Sequence, residues 1–389
     1  MTTNVLERYT RKPWQISLWA FFFTMPVWSS LLGRLVKGKW WFNDFDALIC
    51  GADHLRRGLS PYSLTPVCEG LNPAPYVYAP QIGQAFAPLL EMLGFSGLKA
   101  LYALALLAVL GFSFWFILIR KWPRVPLVWR LLGFGVLTGS SIASGNIGLM
   151  LHGLILIAAL NLHRSLIPFV IIVLLAACIK PFLLTYMIVL MFTEQPFRAR
   201  LVQTAAATMV GAVLVAALFL NAPYAAEWST LRDSIVAQEQ SGMSWFSWMN
   251  ALGFDTYSPT SLGGLVIYLA LTSLCGLIIA ERSGADRTER IIIGLTFALL
   301  LNPRLMDYDL LLMPLGMAVI VALSASAGTK PFRLISLSYL ALSALCLVLR
   351  MADISGYAPD SVAVLAYVLL AYTLAFLQRR QSFIIPPSR

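Results

Sequence analysis

Acidic side chains are scarce in this chain, with 18 Asp and Glu against 28 Lys and Arg in 389 residues. Charged residues of both signs make up only 12%, while 59% of residues are hydrophobic. Charge this thin argues against any soluble domain large enough to hold its own core. Cysteine is sparse too. Cys50, Cys68, Cys178, Cys275 and Cys346 are scattered, no CxxC occurs, and the three histidines are dispersed, so no metal-ligand motif is legible. Cys50 and Cys68 pair if their loop faces an oxidising compartment; two free thiols are the alternative. Fixed-period repeats and low-complexity segments are absent. The net charge of +10 does not imply a nucleic-acid partner, because the basic residues cluster at the ends of apolar runs, as membrane topology requires.

What is present is hydrophobicity in long runs. A mean hydropathy of +0.77 describes an all-α integral membrane protein, one domain over residues 1–389 in contact with membrane lipids. Spans are predicted at 14–36, 96–119, 126–143, 147–162, 166–178, 182–192, 199–220, 262–280, 289–302, 309–327, 332–351 and 361–378. The first is long and lacks a small-x-small cleavage site, so it reads as a span and not a cleavable signal. The two runs flanking Lys180-Pro181 are each too short for about 30 Å of hydrocarbon and predict a broken or re-entrant pair. Segment 79–93 reads as a helix on the outer surface, which keeps Arg120, Lys121, Arg124 and Arg130 inside. Arg34, Lys37 and Lys39 run against the resulting pattern; the remaining joints follow it, with both termini cytoplasmic.

This arrangement leaves short basic joints on the inner side and sorts the polar chemistry outward. The outer segments are the first loop 37–95, Gly145-Asn146, the Lys180-Pro181 break, the long loop 221–261, and Asn302 to Asp309. Separate loops converging on one face are how a helical scaffold builds an active site.

Within those loops, Asp44 and Asp46 stand two apart among aromatics, so on a helix they point about 200° away from each other. One of them accepts a proton as a general base, or caps a helix over 45–57. Asp53 and His54 read as a solvated face of that helix. Tyr62 and Tyr78 offer rings for stacking on a sugar, or belong to an interfacial aromatic belt. Lys180, in an apolar run and followed by Pro181, needs an anion such as a phosphate, an internal partner, or a path to the interface. Arg304 suits bidentate phosphate binding, while Asp309 bonds a sugar hydroxyl or orients Arg304; a surface ion pair is the bland alternative. The loop 221–261 predicts an amphipathic helix and an aromatic turn, a lid or acceptor platform. Asn146 sits in a tight polar turn beside helix ends able to donate hydrogen bonds.

Taken in order, these segments resemble glycosyltransferase family 87, polytopic transferases of the GT-C class. The resemblance rests on Asp44-Phe45, Ala52, Gly58 and Pro61-Tyr62, then Tyr78-Ala79-Pro80 with Pro88, then Lys180-Pro181, and finally Pro303-Arg304 with Tyr308-Asp309. It spans roughly residues 40–320, with each motif loose and the order specific. Two departures stand out: the family's Gly-Gln-Asn turn reads Gly145-Asn146-Ile147-Gly148 here, and Tyr308-Asp309 stands where members using a mannose donor tend to carry a His.

The resemblance implies a GT-C-like bundle of about 12 transmembrane helices with extracytoplasmic loops and juxtamembrane helices. It also implies transfer of a hexose or pentose from a polyprenyl-phosphate donor to a hydroxyl of a lipid or glycan acceptor, typically with inversion, on the outer side of a bacterial inner membrane. Asp44 takes the family's base position, with Asp46 as alternative or support. Lys180 and Arg304 become candidates for the donor phosphate, and Tyr62, Tyr78, Asn146, Tyr308 and Asp309 for sugar or acceptor. Other GT-C enzymes place a divalent metal on an acidic pair, which here requires the chain to bend between Asp44 and Asp46. No other cofactor is implied. A flippase or transporter of lipid-linked sugars is the alternative from a different class, and it calls for polar residues along a midplane pathway.

Overall fold

The computed structural model describes residues 13–120, 130–131, 139–235, 241–351 and 358–382. Among these residues the chain is helical and contains no strand. Among the described residues, five helices are long and apolar enough to cross a membrane: Pro80–Ile119, Phe197–Leu220, Pro259–Arg282, Asp307–Ala325 and Asp360–Gln378. Shorter apolar helices cover Ala20–Val36, Ile147–Leu160, Ile167–Ile179 and Pro181–Phe192. Burial ranks these helices: 89% of the apolar window of Asp307–Ala325 is covered by protein, but only 11% of that of Phe197–Leu220. Val202, Met209, Val213 and Leu220 stand exposed on the latter. Lipid tails are as apolar as a leucine side chain, so such a helix carries no penalty at the bundle's edge.

Several expected boundaries are shifted for local reasons. The runs at 79–93 and 96–119 join into one stretch, Pro80–Trp115, bent where Gly94 adopts φ 65° and ψ 177°. Without a Cβ, glycine reaches that conformation at no steric cost, which lets the two parts take different directions. The expected span 126–143 lies largely outside the described residues, its end forming the short helix Gly139–Ser144; Lys121 and Arg124 lie outside them as well.

The break at Lys180-Pro181 is present. The helix Ile167–Ile179 stops at Lys180, whose backbone is extended (φ −132°, ψ 98°), as expected for a residue before proline. The following Pro181–Phe192 is a 3-10 helix and not an α-helix. At about 2.0 Å rise per residue, twelve residues reach roughly 24 Å instead of the roughly 18 Å of an α-helix. The two segments lie against each other as a hairpin with Lys180 at its tip, and Phe197–Leu220 and Arg287–Leu300 pack on the 3-10 arm.

The predicted helix over 45–57 is Asn43–Arg56. Phe45, Leu48, Ile49 and Ala52 are buried on it, and the Phe45 ring stacks on Tyr102 of the long helix at 3.8 Å between centroids. Asp53 and His54 do not form a solvated face. Asp53 is buried and accepts from Arg56 and Arg57, each at 2.8 Å. Cys50 and Cys68 form a disulfide that ties this helix to the loop after it, with 5.9 Å between Cα atoms. A cross-link closing a loop of this length contributes about 3 kcal/mol in chain-entropy terms. The 221–261 loop contains helices Ala225–Asp233 and Trp245–Ala251. Backbone bonds from Met243 to Leu305 O and from Phe246 to Pro303 O knit its second half to the 302–306 turn.

Candidate functional site

Phe42, just before the Asn43–Arg56 helix, is a non-glycine residue at positive φ (64°). Backbone of this kind costs of order 1–3 kcal/mol and persists where surroundings enforce it. The Phe42 N–H donates to Ala143 O (2.8 Å) and Tyr102 OH donates to Gly145 O (2.8 Å). Together these contacts clamp the start of the Asp44 helix against the 139–146 turn.

On this helix the two aspartates separate as the 200° spacing requires. Asp46 is fully buried, paired with Lys99 (2.8 Å) and bonded by the Trp40 indole N–H (2.6 Å) and the Asn72 backbone N–H (3.3 Å). Asp44 is half-buried and receives the Asn146 amide N–H on Oδ2 at 2.8 Å. Neither caps the helix, whose N-cap, Phe42, makes no side-chain cap bond. No bend brings the two carboxylates together, so they do not form an acidic pair for a metal. Among the described residues, Cys50, His54 and Cys68 do gather ligand atoms within 4.8 Å, but two of the three are spent on the disulfide.

Asn146 is the N-cap of Ile147–Leu160, its Oδ1 accepting from the Gly148 N–H at 2.9 Å. The same oxygen accepts from Lys180 Nζ at 2.8 Å, and that ammonium lies 3.7 Å from the centroid of the Tyr308 ring. A desolvated cation over an aromatic face gains about 2 kcal/mol, which helps hold a charge at the tip of an apolar hairpin. The 3-10 helix Asp307–Leu312 carries Tyr308.

Gly148 is what lets the lysine in. A Cβ built there meets Lys180 Nζ at 2.7 Å, Asn146 Oδ1 at 2.9 Å and Tyr308 Cδ2 at 3.2 Å. The lysine end can swing away, but the buried Asn146 amide cannot without loosening its cap, so Gly148→Ala is expected to displace the ammonium and to lower the melting temperature modestly. Losing one charge-assisted contact corresponds to about tenfold weaker anion binding. Titration with polyprenyl monophosphate in detergent micelles measures it, and unchanged affinity refutes the tight-approach reading.

Asp309 is spent inside the protein. It is buried, Oδ1 meets His152 Nε2 at 3.0 Å, and Oδ2 receives Asn302 Nδ2 (3.3 Å) and the Met306 N–H (3.1 Å). On its other side His152 meets Tyr186 OH at 2.7 Å. The carboxylate therefore shapes the turn that carries Arg304 and Tyr308. Arg304 is half-buried, its backbone N–H held by Asn302 Oδ1 at 3.0 Å.

These pieces border one cavity of about 560 Å³. Lys180, Arg304, Tyr308 and Asp309 line its polar part, while Val215, Leu218 and Phe219 of the exposed Phe197–Leu220 helix form an apolar wall. Tyr78, Trp228, Arg232, Asp233 and Tyr257 contribute from the loops. Phe219 stacks on Trp228 at 4.3 Å, and the Trp228 indole donates to Val77 O at 3.0 Å, which joins the first loop to the second across the cavity mouth. Burial, with the Asp44 charge adding to it, pushes the Tyr78 phenol well above its ordinary value, so it stays neutral. Tyr62 does not line the cavity. Its OH donates to Tyr78 O at 2.9 Å, and burial raises its phenol likewise.

The loops grouped by the sequence thus meet at one place, with Lys180, Arg304, Tyr308, Asp309 and Tyr78 on the cavity and Asp44 reaching it through Asn146. Asp46 and Tyr62 stand outside. His152, Tyr186, Gly148 and Arg232 are additions. A histidine inside the apolar run 147–160 was the signal for the first, since polar groups there need a partner; the others carry no local signal. No protein-family model, curated protein or solved structure matches the chain.

Proposed function

We propose that the chain is a membrane-embedded glycosyltransferase acting on a polyprenyl-phosphate sugar. The observation that carries this reading is the cavity's composition: cations Lys180 and Arg304 at one part, and at another the wall of a helix long and apolar enough to cross a membrane, with its other face exposed. An amphiphile with an anionic head and a long apolar tail fits both. The half-buried carboxylate of Asp44 stands one amide away from the lysine.

In the proposed step, an acceptor hydroxyl attacks the anomeric carbon, and its oxygen forms the new glycosidic bond. Its proton passes to Asp44, and the bond between anomeric carbon and phosphate oxygen breaks with its electron pair going to the phosphate. Lys180 and Arg304 stabilise the charge gathering on that leaving group. A transporter calls instead for polar residues along a midplane pathway. With the transferase reading we propose a GT-C-like bundle of about 12 spans with both termini cytoplasmic and the site outside a bacterial inner membrane. The Cys50–Cys68 disulfide supports it, because such bonds persist in oxidising compartments.

The test is incubation of purified protein with a panel of polyprenyl-phosphate hexoses and pentoses, with and without lipid and glycan acceptors, followed by mass spectrometry. Release of polyprenyl phosphate with gain of one sugar on an acceptor is expected. Intact donor in every combination, at protein and donor concentrations that sustain binding, overturns the reading. Donor crossing a liposome uncleaved favours the transporter instead.

A further inference from the structure

Asn146 sits where the proposed base and the proposed phosphate cation meet, and the hydrogen bonds of its amide are made inside the protein. Nδ2 donates to Asp44 Oδ2 (2.8 Å), while Oδ1 accepts from Lys180 Nζ (2.8 Å) and from the Gly148 N–H (2.9 Å). The side chain is buried, at 6% exposure, and is braced by the helix that it caps. Both ends of the amide are thus engaged by protein groups. We infer that Asn146 is a positioning residue, which sets Asp44 and Lys180 at a fixed spacing by donating to one and accepting from the other.

An amide is suited to this task because its two ends have opposite hydrogen-bonding character. A carboxylate at 146 would keep the acceptor for Lys180 and for the helix cap but lose the donor to Asp44. An alkyl group would lose all three. The bond also occupies Asp44 Oδ2 from one side, which orients the carboxylate and turns Oδ1 to other work. The Asn43 amide approaches Oδ1 at 3.5 Å. This geometry couples the two ends of the proposed transfer: the group that takes the proton and the group that receives the leaving phosphate share one rigid spacer. The inference rests on the transferase reading for its functional part, and on contacts alone for its structural part.

Asn146→Asp separates positioning from capping. Aspartate is as good an N-cap as asparagine, so a residue that merely caps the helix predicts an unchanged melting temperature and unchanged turnover. Positioning predicts that two carboxylates now face each other across 2.8 Å, lowering the melting temperature and cutting kcat at least tenfold. The swapped pair Asp44→Asn with Asn146→Asp restores one donor and one acceptor, with their order reversed. Its melting temperature is expected to return towards wild type while turnover stays lost, because the carboxylate has moved to the wrong residue.

Equal melting shifts for Asn146→Asp with and without Asp44→Asn overturn the bridge. Coupled melting shifts with wild-type kcat in Asn146→Asp overturn the positioning role and leave a structural contact. A wild-type protein that cleaves no donor overturns the transferase reading and not the bridge, which the melting temperatures alone decide.

Discussion

Asp44→Asn is expected to abolish sugar transfer while the protein still inserts and melts close to wild type. The asparagine oxygen still accepts from the Asn146 amide, so the contact that seats position 44 survives in shape. What disappears is the capacity to take a proton from the acceptor hydroxyl, and general-base catalysis is worth about 10² to 10⁴ in rate. Release of polyprenyl phosphate under single-turnover conditions measures it. Asp46→Ala supplies the contrast. That substitution strips the partner from Lys99 and leaves the Trp40 indole N–H without an acceptor in a buried place. Breaking a buried ion pair costs about 3 kcal/mol or more, so its effect falls first on melting temperature and yield. An Asp44→Asn protein with wild-type turnover removes the base assignment.

Lys180→Met is expected to raise the KM for donor by about 10- to 100-fold, the worth of a charge-assisted hydrogen bond. The unbranched methionine follows the path of the lysine stem, and the site no longer has to hold an ammonium over Tyr308 and against Asn146. Stability is therefore expected to hold or to rise slightly, since an ammonium in apolar surroundings is costly. Lys180→Arg is expected not to rescue binding. Gly148 and the Tyr308 ring leave a slot matched to a compact ammonium, and a planar guanidinium of larger span does not enter it without displacing one wall. Initial rates against donor concentration decide the matter. A KM unchanged in Lys180→Met sends the phosphate to Arg304 alone.

Much of this site was legible in the sequence because polar residues in a lipid-soluble chain are conspicuous. Lys180 announces itself by interrupting an apolar run, and Pro181 tells why the helix stops there. The separation of Asp44 from Asp46 follows from helix geometry alone, since residues two apart cannot share a face. Which of the two turns toward the cavity does not follow. That depends on where Lys99 and Asn146 arrive, 53 and 102 residues further along the chain. Asp53 was misread for a related reason. Its two arginine partners, Arg56 and Arg57, lie at the end of its own helix, but its burial comes from packing against other elements that local pattern does not report.

Composition and hydropathy by themselves determined that the chain is helical and made for lipid, where breaks must occur, and which residues are too polar to be idle. A backbone in hydrocarbon must satisfy its own hydrogen bonds, so sequence and secondary structure are tightly linked there. Only the tertiary structure decided which of those polar residues meet. Asn146 bridges Asp44 and Lys180, Asp309 turns inward to His152, and the Cys50–Cys68 disulfide closes the first loop. The physical reason is that a 2.8 Å contact between distant segments is set by how helices pack and bend, and apolar faces that satisfy lipid and protein alike leave little record of that packing in their composition.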